Sequence, residues 1–97
     1  GGGADEEKVA KALNLVLSDD SVKAVLVNLF GGILRCDIAA RGFLLAAEQQ
    51  PNKVRPMVVR MLGTNSDEGR EILSQSSLNV ILVDTLGEAA AEIKKLA

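Results

Sequence analysis

An apolar run at residues 22–30 constrains the fold more than any other feature, because it is followed by Gly31 and Gly32 and then directly by a helical pattern. A nearly continuous apolar run, unlike an alternating one, is typical of a strand buried on both faces of a parallel sheet. We therefore expect such a strand here. Asn28 within it is interpreted either as a satisfied polar group of the strand or as a residue that orients the following loop.

The remaining chain repeats this succession of strand, turn and helix. Two further strands are predicted at residues 54–62, starting after Pro56, and at residues 79–83. A first helix is expected to begin at a cap and acidic first turn and to end near residues 18–20. Its acidic start and apolar stripe are formed by Asp5, Glu6, Glu7, Val9, Leu13, Val16 and Leu17.

Three more helices follow the three strands. The first carries apolar residues at helical spacing and is closed by Pro51. Those residues are Cys36, Ala39, Ala40, Phe43, Leu44 and Ala47. The other two helices open with the spacing of a capping box, Asn65 with Glu68 and Thr85 with Glu88.

The resulting order, α-β-α-β-α-β-α, predicts an α/β fold with an open parallel sheet and helices on both faces. Residues 1–97 are expected to form one domain. Three strands make a thin sheet for four helices, so at least one more strand is expected before Gly1. Because the chain opens with three glycines and no Met, we interpret it as a piece of a longer protein.

Composition excludes several functions. The net charge is −2, the Lys and Arg residues are scattered and only two residues are aromatic, so nucleic-acid binding is not expected. No apolar run approaches the roughly 20 residues of a membrane span, and the expected location is the cytoplasm or an organelle matrix. With one Cys and no His, neither an internal disulfide nor a common zinc site can form.

Ligands of such sheets bind beyond the carboxyl ends of the strands. Gly31, Gly32, Ile33 and Leu34 lie there, and the amides and dipole of the next helix favour an anion such as a phosphate or carboxylate. Arg35 adds a cation in the first turn. The alternative, that the glycines serve only a tight turn, fits the spacing equally well. Neither dinucleotide nor Walker-type glycine patterns are present.

The second loop at this edge holds Gly63, Thr64 and Asn65, which offer a hydroxyl, an amide and backbone groups. Thr64 and Asn65 are also ordinary helix caps, and we favour that interpretation. Cys36 lies near a helix start, but without a His to activate it a packed thiol is expected. No catalytic residue is predicted, and the residues alone indicate an anion-binding domain.

The segments GGI-x-RCD and VVR-x-x-GTN, within a match that covers essentially the whole chain, are specific to one family. The sequence resembles the C-terminal CoA-ligase domain of succinyl-CoA synthetase β subunits. Malate–CoA ligase and ATP-citrate lyase are related alternatives, and a non-catalytic module for anion binding or subunit docking is a further one. Flavin binding, which some sheets of this kind support, is disfavoured by the scarcity of aromatic residues.

The resemblance implies a flavodoxin-like, three-layer αβα domain that follows an N-terminal ATP-grasp domain, absent here. It implies ATP/ADP or GTP/GDP with Mg²⁺, and CoA, as ligands of the complete enzyme and none in this domain. An α subunit would bind CoA and carry the phosphohistidine, and succinate and phosphate would be the small ligands. The isolated domain is expected to be inactive.

The resemblance also implies that Gly32, Ile33 and Leu34 bind the substrate while Gly31 shapes the turn. Arg35, Gly63, Thr64 and Asn65 are candidate phosphate or turn contacts. Two residues depart from the family pattern. Leu62 stands where many members have an acid, and Leu34 replaces a more usual Val or Met.

Overall fold

The computed structural model describes residues 2–30 and 34–96. They form four helices, α1 (Gly2–Leu17), α2 (Cys36–Gln49), α3 (Ser66–Ser74) and α4 (Leu86–Leu96), and three strands, β1 (Val25–Leu29), β2 (Met57–Met61) and β3 (Val80–Val83). A short 3₁₀ turn, Pro51–Lys53, follows α2. The predicted order of elements is confirmed. None of the helices in these two ranges is long and apolar enough to cross a membrane.

The strands form one parallel sheet in the order β1-β2-β3. Val25 pairs with Met57, and Met57 pairs in turn with Val80, so the strands start in line. β2 lies in the centre, and its apolar residues are fully or almost fully buried. The predicted open parallel sheet of a flavodoxin-like α/β domain is therefore confirmed, and β2 behaves as a strand buried on both faces.

Alternate residues of β2 face two different layers of helices. Met57, Val59 and Met61 belong to the main core, to which α1, α2 and α3 contribute most of the other buried side chains. Val58 points to the opposite face, where α4 packs with its buried Ala89. The helices thus sandwich the sheet, as the three-layer prediction requires.

β1 differs from its prediction. Its span is shorter than residues 22–30, and within it only Val25 is buried, whereas Leu26 is 48% exposed. Phe30, just beyond the strand, is 72% exposed. The reason is topological, because within the described residues β1 pairs only with β2 and α4 lies mainly over β2 and β3. The prediction of burial on both faces is therefore wrong for β1.

Two details of the helix predictions also change. α1 begins at Gly2, so Asp5 lies inside its first turn instead of capping it, and Val16 of the predicted stripe is exposed while Ala10 is buried. The Thr85 and Glu88 capping box is confirmed, since the Glu88 N–H donates to Thr85 Oγ1 at 3.1 Å and the Thr85 N–H donates to Glu88 Oε1 at 3.0 Å.

Candidate functional site

The start of α2 lies at the carboxyl edge of the sheet, where the sequence places the anion site. Gly31, Gly32 and Ile33 fall outside the described residues, and so the predicted contacts of these three remain predictions. Leu34 is half-buried and packs against the main core. Arg35 was predicted in the first turn of this helix. In the structure it is the N-cap residue, in extended conformation, and the first turn begins at Cys36.

The second predicted loop meets α2 directly. The Cys36 N–H, the first of α2, donates to the Thr64 carbonyl at 3.0 Å. Gly63 has φ 110°, a backbone conformation that side-chain-bearing residues rarely adopt, which explains a glycine at this turn. The expectation that both loops gather at one edge is confirmed for Arg35, Thr64 and Asn65, since Thr64 accepts from the first N–H of α2 and the Arg35 and Asn65 side chains share one acceptor oxygen there.

A buried carboxylate that the sequence analysis missed joins these loops. Asp37, in the first turn of α2, has a side chain that is 0% exposed and that receives hydrogen bonds from three side chains. Arg35 donates from Nε to Oδ1 at 3.1 Å and from Nη2 to Oδ2 at 2.7 Å. Arg41 Nη1 donates to Oδ2 at 3.0 Å, and Asn65 Nδ2 donates to Oδ1 at 3.1 Å.

The network extends to α3 through Arg41, whose Nη2 also donates to Glu68 Oε1 at 3.1 Å. We call Arg35, Asp37, Arg41, Asn65 and Glu68 the Asp37 cluster. Two arginines balance two carboxylates, so an anion bound here would rely on backbone amides rather than on an excess of positive charge. One part of the cluster is readable in the sequence, because Asp37 and Arg41 have the i, i+4 spacing of a helical ion pair.

Asp37 stays ionised in this environment. Burial alone would raise the pKa of its carboxyl, but the hydrogen bonds from Arg35, Asn65 and Arg41 outweigh burial and lower the pKa to about 2. A carboxylate that holds its charge so firmly is suited to fixing the groups around it. Proton transfer near neutral pH calls for a pKa much closer to 7.

Asn65 does not cap α3 as predicted. It is the N-cap residue by position, but its backbone is left-handed with φ 58° and its side chain reaches across to Asp37. The capping box with Glu68 is therefore wrong, because Glu68 is engaged by Arg41. Asn tolerates this left-handed conformation better than most residues, which is a second reason for Asn at the position.

Cys36 confirms the prediction of a packed thiol. Its residue surface is 1% exposed, and its Sγ approaches the Leu62 carbonyl at 3.8 Å. Burial raises the pKa of the thiol, with Asp37 adding to the shift and Arg70 opposing it. Such a thiol is a poor nucleophile. Within residues 2–30 and 34–96, no group of three or more His, Cys, Asp or Glu side chains is placed to hold a metal ion.

Asn28 lies on the α4 face of β1 and is a satisfied strand polar group, the first of its two interpretations. Its Oδ1 accepts a hydrogen bond of 3.0 Å from Nη1 of Arg60, its register partner on β2. Arg60 Nε also donates to the Asp84 carbonyl at 3.1 Å. Arg60 therefore ties the carboxyl ends of all three strands together.

The comparisons with known proteins agree with the resemblance. The CoA-ligase family matches residues 1–94. Succinate–CoA ligase (ADP-forming) subunit beta of Marinomonas sp. (strain MWYL1) is 52% identical over 97 residues, which is 100% of this chain and 25% of that protein. The protein of the same name from Rickettsia bellii (strain OSU 85-389) is 54% identical over 93 residues, 96% of this chain and 24% of that protein.

A third relative is succinate–CoA ligase (ADP-forming) subunit beta of Anaeromyxobacter dehalogenans (strain 2CP-C). It is 53% identical over 97 residues, and this chain covers 25% of its length. The chain thus spans about a quarter of the length of the curated relatives it matches. Since the family match covers nearly every residue and the fold agrees with it, the chain belongs to the CoA-ligase family.

Proposed function

We propose that this chain is the C-terminal domain of a succinate–CoA ligase β subunit. In this proposal the start of α2 binds the substrate carboxylate and the phosphoryl group while acyl-CoA is formed at the expense of a nucleoside triphosphate. The observation that carries the proposal is an identity of 50% or more to such subunits over the full length of this chain.

The proposed role is electrostatic. Helix amides that point out of the first turn, together with the helix dipole, stabilise negative charge without forming a covalent bond. Gly32, Ile33 and Leu34 would offer backbone N–H groups to the anion, and Gly31 would shape the turn. Arg35 and the loop of Gly63, Thr64 and Asn65 would line the same edge.

Other groups of the proposed reaction belong to other parts of the enzyme. In this proposal the phosphorylated histidine and the CoA site come from an α subunit, which agrees with the lack of any His in this chain. ATP/ADP or GTP/GDP with Mg²⁺ would bind an N-terminal ATP-grasp domain of the β subunit. Because nucleotides and CoA are cytoplasmic substrates in bacteria, the proposed location of the complex is the cytoplasm.

The test is reconstitution of the full-length β subunit with its α subunit, followed by assay of succinyl-CoA formation. Gly32→Val places a branched side chain at the proposed anion site and should lower kcat by roughly 100-fold. The matched control is Gly87→Ala on α4, where an added Cβ meets nothing closer than Thr85 Oγ1 at 3.8 Å. Unchanged turnover in Gly32→Val would contradict the assigned role of the α2 start.

The same assay decides between related functions. Malate and citrate are supplied in place of succinate, and a preference for either would move the proposal to malate–CoA ligase or ATP-citrate lyase. Calorimetric titration with phosphate and succinate, with and without the α subunit, addresses a non-catalytic module. Binding of both ligands without any acyl-CoA formation by the assembled complex would favour that module.

A further inference from the structure

Asp37 is the one charged residue that is fully buried among residues 2–30 and 34–96. Burying a carboxylate is costly, and a buried ion pair is often no more stabilising than apolar side chains of similar volume. Stability alone therefore explains this residue poorly. Its placement at the carboxyl edge, beside the proposed anion site, suggests that the carboxylate serves the geometry of that site.

The donors to Asp37 come from three different segments. Oδ1 is shared by Arg35, which follows the β1 loop, and by Asn65, which follows β2. Oδ2 is shared by Arg35 and by Arg41, one turn further along α2. A single oxygen thus holds side chains of both loops, at 3.1 Å from each.

The fork between Nε and Nη2 of Arg35 is committed to Asp37, which fixes the plane of the guanidinium. The Arg35 side chain is nevertheless 52% exposed, so the remainder of the group is accessible from outside. A half-exposed Arg would otherwise sample many rotamers, at a cost in side-chain entropy whenever it bound a ligand. Because the contact with Asp37 already restricts the Arg35 rotamers in the free protein, binding a ligand would lose little further side-chain entropy.

We infer that Asp37 is a positioning residue for the acid–CoA ligase reaction: it holds the Arg35 guanidinium and the Asn65 loop in one fixed arrangement at the start of α2. This inference rests on the proposed function. Asp37 itself touches no substrate, and it acts through Arg35 and Asn65. Small displacements of groups that position a substrate slow the reaction strongly, since a shift of about 1 Å can lower the rate roughly 100-fold.

The test uses the complete enzyme with both subunits. Asn65→Gly removes the hydrogen bond to Asp37 while it keeps a backbone that accepts φ 58°. Asp37→Asn removes the charge that holds all three donors. We expect kcat to fall about 10-fold for Asn65→Gly and about 100-fold for Asp37→Asn, with a raised KM for succinate and a KM for the nucleotide within about twofold of wild type.

Asn14→Ala is the matched control. Asn14 Nδ2 of α1 donates to Gln49 Oε1 of α2 at 2.8 Å, so this variant also loses one amide hydrogen bond between elements, but at the opposite end of α2. Its melting temperature should fall about as much as that of Asn65→Gly, while both its kcat and its KM for succinate stay near wild type.

The outcomes separate the two proposals. A wild-type complex that forms no succinyl-CoA overturns the proposed function. An active wild type with unchanged kcat and succinate KM in Asn65→Gly overturns only the positioning role, and so does an equal loss of kcat in Asn65→Gly and Asn14→Ala. If Asp37→Asn fails to fold, the comparison of Asn65→Gly with Asn14→Ala decides alone.

Discussion

At the scale of single residues, Asp37 couples stability to pH. Its carboxyl has a pKa of about 2 in the folded chain and an ordinary value of 3.8, so the folded state binds the proton less readily than the unfolded chain does. A group with a lowered folded pKa stabilises the fold above its unfolded pKa. That contribution disappears as the pH falls toward the folded pKa.

We predict that Asp37→Asn destabilises the 97-residue chain by roughly 1 to 2 kcal/mol near neutral pH, because Arg35 and Arg41 lose a charged acceptor. The expected loss is no larger because both arginine side chains are partly exposed to solvent, which weakens their ion pairs with Asp37. The difference from wild type should shrink as the pH falls from about 4 to about 2, where the wild type also loses the charge. Urea unfolding followed by circular dichroism across this range measures it.

The control for this prediction is Asp67→Asn, because the Asp67 side chain is 100% exposed and its ion pair with Arg70 is long at 3.6 Å. Its midpoint of urea unfolding near neutral pH should stay close to that of wild type, because exposed ion pairs contribute little to stability. If the difference in free energy of unfolding between Asp37→Asn and wild type stays the same from pH 6 to pH 2, the assigned pKa is contradicted.

At the scale of elements, the contact between α2 and α3 is set by one glycine. A Cβ built on Gly69 would lie 2.7 Å from the Cys36 carbonyl oxygen and 2.9 Å from its Cβ, so only glycine lets the two helices approach this closely. The atoms in the way are largely backbone and cannot turn aside. The same approach brings Asn65 and Glu68 within reach of the α2 start.

We predict that Gly69→Ala destabilises the fold by about 1 to 3 kcal/mol, because α3 must move away from Cys36. Gly87→Ala is the opposite case on α4, where the added methyl group makes only an ordinary van der Waals contact, 3.8 Å from Thr85 Oγ1, and helix propensity should stabilise the fold by up to about 1 kcal/mol. Thermal unfolding of both variants checks the pair. A Gly69→Ala variant as stable as Gly87→Ala would refute the close packing.

Periodicity predicted the elements well and their mutual contacts poorly. The apolar residues of β2 and the Thr85 cap are local signals, and both agree with the structure. The burial of Asp37 depends on Asn65, 28 residues away in the sequence, and no local pattern reports such a contact. The exposure of Leu26 depends on which strand lies at the sheet edge, which an apolar run does not reveal.

At the scale of the whole molecule, β1 leaves one edge of the sheet open within the described residues. The Val25 N–H donates to the Pro56 carbonyl at 2.9 Å, and the Leu29 carbonyl accepts from Leu62 at 2.8 Å, so these alternate residues face β2. Leu26 and Asn28 therefore direct their N–H and C=O groups to the opposite edge. An apolar groove of about 350 Å³ runs beside this strand.

The expectation of a strand before Gly1 gives a prediction for a longer chain. A right-handed crossover through α1 would place such a strand next to β1, where it would pair with Leu26 and Asn28. In a chain that includes the preceding residues, hydrogen exchange at these two amides should slow at least 10-fold more than at Val25 and Val27. Equal changes at all four amides would argue against the added strand.

The open edge also bears on how this chain behaves when it is purified by itself. An unpaired strand is a template for pairing with other copies, and the exposed side chains of Leu26 and Phe30 make such pairing favourable. Aggregation that grows with protein concentration is the expected consequence, visible as increased light scattering. Leu26→Lys, which sets a charge on the edge, should keep the chain in solution at concentrations where the wild type precipitates.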